Sequence, residues 1–302
     1  MQSTAVVECP VCRGHDLTVA LRKHGADIIT CRSCDLQFCA NEPTAEIARS
    51  LYSEEYFNGA EKGYVDYIGD EATHRQQARR YLKRIRDLGQ RPGRLLDVGC
   101  AAGFFLDEAR LQGWDVTGCE VSDFASRHAR EVLGLPVVTG DYPNVDVGGK
   151  TFDLITFFNV LEHLPDARTV AERTWRMLSP GGKVAIETWD HSSLLARMAK
   201  SRWHQYSPAY VPYYFTRSAL RQLWNTARWV ELQYGPSAKW ISWTRALSLT
   251  LPRRLGQMVT RLSAAMDRVG LHMATSLPYF AGDLVFAVFE RRAEAPAITH
   301  PR

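Results

Sequence analysis

LLDVGCAAGFF, residues 95–105, is an apolar run that breaks into a glycine-containing turn and resumes as an apolar, helix-forming segment. Strand, glycine turn and helix in that order is where doubly wound parallel sheets receive dinucleotides or other adenosine cofactors. Spacing separates the two. A dinucleotide fingerprint needs G-x-G-x-x-G, and here Ala101 and Phe104 stand where its second and third glycines belong. What is present is D-x-G-x-x-x-G, with Asp97 at the strand end and Gly99 and Gly103 bracketing a turn that a ligand can approach closely. Such a turn suits a compact ligand without phosphates.

Beyond residue 93 strands and helices alternate, which predicts an α/β fold with a parallel sheet covered on both faces. RLLDVG, WDVTGCE, LPVVTGD, FDLITFFNV and GGKVAIETW read as successive strands, the last after the turn SPGG. FFLDEARLQG, SDFASRHAREVLG and ARTVAERTWRML read as the helices between them. The carboxyl ends of four of these strands carry Asp97, Glu120, Asp141 and Asn159, and ligands of open parallel sheets bind at that edge. Glu120 lies 21 residues beyond Gly99. A carboxylate there can accept from both hydroxyls of a ribose, the plainer alternative being a solvated strand-end acid. Asp141 either accepts from an adenine amino group or makes a local turn with its own backbone.

A length of 302 residues and 45% hydrophobic content predict a globular chain of about two domains. No apolar run approaches membrane-spanning length, and the first twenty residues lack a basic start followed by an apolar stretch, so a cytoplasmic location is expected. Seven cysteines cluster toward the N-terminus. Cys9 and Cys12 form one C-x2-C pair and Cys31 and Cys34 a second, with eighteen residues between them. Two knuckles at that separation point to a closed four-thiolate site, the donor set of structural zinc. Cys39 reads as a bystander, and Cys100 and Cys119 as small apolar residues.

From the ribbon to residue 90 the chain is polar and aromatic. Tyr52, Tyr56, Phe57, Tyr64 and Tyr67 fall within sixteen residues, followed by THRQQARRYLKRIRDLGQ, a basic amphipathic helix. The aromatics pack on the next domain, or Tyr64 and Tyr67 line a ligand pocket. There is no internal repeat and no low-complexity tract.

Taken in order, LLDVGCAAGFF, GCE, GD, FFNVLEHLPD and LSPGG resemble the class I S-adenosylmethionine-dependent methyltransferases over about residues 50–235. The resemblance implies a seven-stranded Rossmann-like sheet whose last strand, DLVFAVFER at 283–291, enters antiparallel as part of a hairpin. It divides the chain into a zinc-ribbon-like module (1–42), a connecting helical segment (43–92), a methyltransferase domain (93–292) with cap inserts at about 189–215 and 236–282, and a tail (293–302). By the family pattern Gly99 and Gly103 cradle the methionine part of S-adenosylmethionine, Glu120 holds the ribose, and Asp141 with Tyr142 flanks adenine. Asn159 and Val160 close over the sulfonium side. Asp97, Cys100, Ala101 and Phe104 of the turn, Val121 beside Glu120, His163, and Tyr64 and Tyr67 complete the implied cofactor contacts. Ala101 departs from the family, which often has glycine there.

A sulfonium methyl is already electrophilic, so alignment of the acceptor and exclusion of water are the protein's main tasks. A hydroxyl acceptor also needs a general base. His163 in LEHLPD, His204 and Tyr210 are the candidates; His163 alternatively packs at a helix start. Related enzymes often carry a histidine a few residues before the YYF aromatics, where this chain has Tyr210 and Val211. Asn159-Val160-Leu161-Glu162 lacks the prolines typical of base amino-methylating enzymes. The expected acceptor is therefore a hydroxyl of a small molecule, sugar or glycan. An rRNA or tRNA base, which the ribbon-plus-methyltransferase arrangement also resembles, and a catalytically inactive cofactor-binding interaction module are the alternatives.

KWISWTRALSLTLPRRLGQMVTRLSAAMDRVGLHMA reads as two helices broken near Pro252, with Leu255, Met258, Val259 and Leu262 on one face of a cap. Trp240 and Trp243 beside Lys239 and Arg245 admit peripheral membrane contact. Residues 191–302 hold 15 Lys and Arg against 5 acids, +10, which with +4 overall leaves −6 for residues 1–190. A basic acceptor half implies an acceptor bearing phosphate or carboxylate, or else a basic face neutralised by the acidic half.

Overall fold

Two left-handed residues, His24 (φ 51°) and Gly25 (φ 82°), make the two-residue turn that closes the first hairpin. Its strands are β1 (Leu17–Lys23) and β2 (Ala26–Cys31), and β3 (Gln37–Cys39) follows antiparallel to β2. The computed structural model describes residues 8–40, 52–57, 66–142, 144–224, 227–242, 276–279 and 282–292. Tyr64, the tail and the helices expected between Trp243 and Ala274 lie outside the described residues.

Helix α1 (Glu54–Phe57) is one turn, and α2 (Glu71–Asp87) is the expected basic amphipathic helix. Ala78, Tyr81, Leu82 and Ile85 form its buried stripe at i, i+3, i+4 and i+7. The predicted alternation then follows: β4 (Arg94–Val98), α3 (Phe104–Leu111), β5 (Asp115–Glu120), α4 (Asp123–Glu131), β6 (Val137–Thr139), β7 (Phe152–Phe158), α5 (Ala167–Met177) and β8 (Leu178–Trp189). Strand β8 begins at Leu178, before the SPGG turn read from the sequence, because Leu178 already pairs with Phe152 across an irregularity in register.

Helix α6 (Leu194–Ala199), the two-residue strand β9 (Tyr213–Tyr214) and α7 (Arg217–Leu223) lead to β10 (Trp229–Pro236). Strands β11 (Lys239–Ser242) and β12 (Ser276–Tyr279) pair antiparallel, a ladder the helical reading of this region did not anticipate. β13 (Leu284–Arg291) closes the main sheet, ordered β10-β13-β8-β7-β4-β5-β6, in which β13 alone runs against its neighbours. Leu95, Leu96, Leu154, Ile155, Val184, Ala185 and Ile186 are all buried, so both faces of the central strands are covered and the strands read as continuous apolar runs. No helix of the described residues is long and apolar enough to cross a membrane.

The ribbon is not a separate unit. Its sheet has the order β1-β2-β3-β9, taking its fourth strand from the 189–215 insert, so the expected boundary at residue 42 does not divide the packing. Cys9, Cys31, Cys34, Leu36 and Phe38 share one continuous apolar core with the main sheet.

Candidate active site

A cavity of about 220 Å³ opens at the carboxyl ends of β4, β5 and β7, walled on the other side by α1, α2 and Lys239. Its floor is the glycine turn. Gly99 sits at φ +70°, and a Cβ there would lie 2.4 Å from Val160 Cγ2, so only glycine fits between the turn and that side chain. Ala101 takes φ 48°, a conformation L-residues rarely adopt, in the position where a family glycine was expected. Cys100, Phe104, Val121, Asn159, Val160 and Tyr67 also line the cavity. Gly103 does not: its α-carbon faces Ala129 and Leu135, and its φ of +89° serves the start of α3.

Glu120 is buried at the end of β5, and each carboxylate oxygen accepts one backbone N–H: Oε2 from Ala101 at 2.9 Å and Oε1 from Ser122 at 2.8 Å. Burial raises its pKa and those two donors oppose the rise. Each oxygen keeps a lone pair, so a fixed, two-pronged acceptor lines the cavity. Asp97 is pushed up to about 7, mainly by burial, with the Thr156 hydroxyl 2.5 Å away opposing and Glu120 adding to the shift. Asp141 lines the cavity and also receives Asn144 Nδ2 at 3.5 Å, the local turn chemistry. Tyr142 contributes to the wall, but its hydroxyl pairs with Thr174 and the side chain is buried.

A second buried acid, Glu187, holds Asn159 of the cavity wall. Glu187 receives the Tyr81 hydroxyl, Asn159 Nδ2 at 2.9 Å and Ser237 Oγ at 2.5 Å. With the Asn159 N–H also donating to the Glu187 carbonyl at 2.8 Å, Asn159 is held at φ 56° from both ends. Asn159 Oδ1 and Gln77 Oε1 are buried and find no hydrogen-bond partner among the described residues. Both residues line the cavity, which thus presents unsatisfied acceptors.

His163 lines the opposite wall beside Leu164 and Pro165. Its Nδ1 lies 2.7 Å from the Tyr210 carbonyl, and its Nε2 lies 3.9 Å from Glu162 Oε1. A carbonyl only accepts, so Nδ1 carries a proton, and in the ring's neutral form the lone pair lies on Nε2. Glu162 is buried, its other oxygen taken by Thr188 Oγ1 at 2.9 Å; burial raises its pKa and His163 opposes that. Tyr210 enters the site through its backbone and is not among the cavity-lining residues. His204 is exposed, packs edge-on against Trp189 and Trp203, and is likewise not part of the wall.

The four ribbon sulfurs lie within 4.8 Å of one another, with Cys9–Cys34 at 3.7 Å and Cys12–Cys31 at 3.5 Å. A tetrahedron of ~2.3 Å zinc–sulfur bonds has edges of about 3.8 Å, so the set could hold such an ion with little movement. Cys39 stands apart, donating its thiol to the Val211 carbonyl at 3.4 Å.

A family model described as a methyltransferase domain matches residues 71–234, more than half of the chain. The chain belongs to that methyltransferase family. A ubiquinone biosynthesis O-methyltransferase of Pectobacterium atrosepticum is 30% identical to it over 112 residues, covering 35% of this chain and 46% of the relative. The chain spans about half the length of the first curated relatives it matches. Among solved structures, magnesium protoporphyrin IX methyltransferase from Synechocystis, with bound SAH, superposes with a TM-score of 0.52 at 14% identity, covering 82% of this chain and 100% of that one. The N-methyltransferase NodS from Bradyrhizobium japonicum, in complex with S-adenosyl-L-homocysteine, gives 0.51 at 17% identity over 81% and 98%. The methyltransferase fold expected from the sequence is therefore the one present.

Several walls of the methyltransferase cavity escaped the sequence reading: His74, Gln77, Ala78 and Tyr81 from α2, and Lys239. The first four fall at i, i+3, i+4 and i+7, and that periodicity marked a buried face without saying that part of it borders a cavity. Lys239 is conspicuous in sequence only beside Trp240 and Trp243, a pattern that points to a surface and not to a cavity wall.

Proposed function

We propose that this methyltransferase uses S-adenosylmethionine to methylate a hydroxyl of a small-molecule or sugar acceptor that bears an anionic group. The observation that carries the reading is the His163 ring, which lines the cavity with Nδ1 committed to the Tyr210 carbonyl, so that Nε2 is the nitrogen able to take a proton. When bound, the cofactor supplies a methyl group already activated on a sulfonium. Glu120 would hold its ribose hydroxyls and the Asp97–Ala101 turn its methionine part. Gln77 Oε1 and Asn159 Oδ1 would accept from donors there, which supports the fit of an ammonium-bearing ligand. At the acceptor, His163 Nε2 takes the hydroxyl proton, and the nearby Glu162 carboxyl favours the positive ring so formed. Relatives named O-methyltransferases support an oxygen acceptor.

Lys239 in the cavity wall and the net +10 of residues 191–302 support an anion on the acceptor. Part of that charge is internally used, since Arg217 and Arg221 share Glu231 and Arg228 meets Glu172. Cys9, Cys12, Cys31 and Cys34 would hold a structural zinc that leaves no open position for chemistry. The test measures S-adenosylhomocysteine release with matched phosphorylated and neutral hydroxyl acceptors over a salt series. Preference for the phosphorylated acceptor, with KM rising as salt rises, is expected. Equal use of both and a flat KM would overturn the anionic part; no turnover with any hydroxyl acceptor would overturn the reaction.

A further inference from the structure

The ribbon and the acceptor wall are joined by contacts that neither the family match nor the four-cysteine motif accounts for. Strand β3 pairs with β9, Gln37 against Tyr214 and Phe38 against Tyr213. Next to that ladder, the Cys39 N–H donates to the Pro212 carbonyl at 2.9 Å and the Cys39 thiol to the Val211 carbonyl. Tyr206 donates its hydroxyl to Gln37 Oε1 at 2.6 Å, and His191 Nε2 lies 2.7 Å from the carbonyl of Asp35, the residue after Cys34. Behind these polar ties Ile28, Cys39, Trp203, Tyr206, Val211 and Tyr214 form one buried apolar cluster. Tyr210 lies one residue before this seam, in a stretch with no helix or ladder of its own beyond β9.

We propose that the ribbon is a positioning element of the acceptor site. Through β3 it holds residues 206–214 and, with them, the Tyr210 carbonyl that fixes the proton of His163 on Nδ1. This rests on the reading of His163 as the base. The carbonyl is an acceptor on an irregular segment, and an irregular segment keeps its place only through what ties it down. Within the segment the Tyr210 and Val211 N–H groups donate to the Ser207 carbonyl at 2.8 and 2.9 Å; the ties that place this turn against the rest of the chain include those to β3, which starts three residues after Cys34, so the knuckle that gathers the cysteines also sets where β3 lies. If the carbonyl retreats, the imidazole proton is free to move to Nε2, and the lone pair needed at the acceptor is lost from that nitrogen. A displacement of about 1 Å at such a point is enough to cost roughly a hundredfold in rate. Gln37 and Tyr206 are thus positioning residues acting through Tyr210, not groups that meet the substrate.

The test is nitrogen-15 imidazole NMR on the full chain, with the His163 signals identified by their absence in His163→Gln. In the wild type His163 should show a protonated Nδ1 and a pyridine-type Nε2. The combined Gln37→Ala, Tyr206→Phe variant should show a mixture of tautomers and a kcat lower by roughly tenfold, with S-adenosylmethionine affinity within about twofold of wild type, since a positioned base supplies about 10²–10⁴-fold in all. Tyr206→Phe alone, which removes one hydroxyl, should shift both readings in the same direction and covers the case in which the pair folds poorly. An unchanged, fully Nδ1-protonated His163 in these variants would overturn the positioning role. Full turnover in His163→Gln would instead overturn the base assignment, and the tautomer measurement would still decide whether the ribbon sets the ring.

Discussion

The two sides of the cavity are built in different ways. The side read as holding the cofactor comes mainly from one stretch, Asp97 to Phe104, then Glu120 and Asp141 at successive strand ends, with Gln77 and Asn159 added from outside it. The side facing the acceptor is gathered from far apart, with His163 after β7, the Tyr210 carbonyl 47 residues on, Lys239 in β11, and the ribbon at the other end of the chain holding the segment between. Contiguous chemistry is rigid because strand ends and a glycine turn are fixed by the sheet. Gathered chemistry is only as accurate as its ties. Damage to the two sides should therefore separate binding from turnover.

The largest separation should come from Cys34→Ser. It is expected to abolish metal retention, read by elemental analysis as a fall from about one zinc per chain to none, and to cost several kcal/mol of stability, because ribbon closure and ribbon folding are one event. Wild-type stability without any bound metal would break the ribbon half of the comparison. His163→Gln touches the acceptor side alone; kcat should fall by roughly 10²–10⁴ while cofactor affinity holds.

Smaller effects sharpen the boundary between the sides. Tyr81→Phe removes one of the donors to buried Glu187, and calorimetry should show a loss of about 1–3 kcal/mol in stability. A neutral outcome would mean that Ser237 and Asn159 suffice. Asp97 makes a pH prediction. Its ordinary value is 3.8 and burial lifts it to about 7, so between those values the folded chain binds more protons than the unfolded chain. The Asp97 contribution to stability therefore falls as pH rises from about 4 to about 7 and is level above that. Asp97→Asn should flatten that decline in thermal unfolding of the cofactor-free protein, and an unaltered slope would contradict the assignment.

The alternation of elements and the turn at Gly99 were readable because their periodicity and spacing are local, whereas the antiparallel last strand came only with the family resemblance. Gly103 carried a motif position yet turned out to pack against α4, because a glycine records only that something comes close, not which side it comes from. Tyr210 was singled out for its phenol, whereas its carbonyl makes the contact, and every residue has a carbonyl. His204, likewise chosen for its side chain, packs on tryptophans away from the cavity. Strand β9, at two residues, is too short for alternation to reveal, and so the joining of ribbon and cap was invisible.

The glycine-turn side is expected to bind S-adenosylmethionine by itself, without help from the acceptor side. Calorimetric titration of the cofactor into wild type, Glu120→Gln and His163→Gln tests it most directly. One site per chain is expected, with His163→Gln matching wild type and Glu120→Gln weaker by roughly ten- to a hundredfold, the worth of hydrogen bonds to a charged acceptor. No binding to wild type, or equal weakening in both variants, would contradict it.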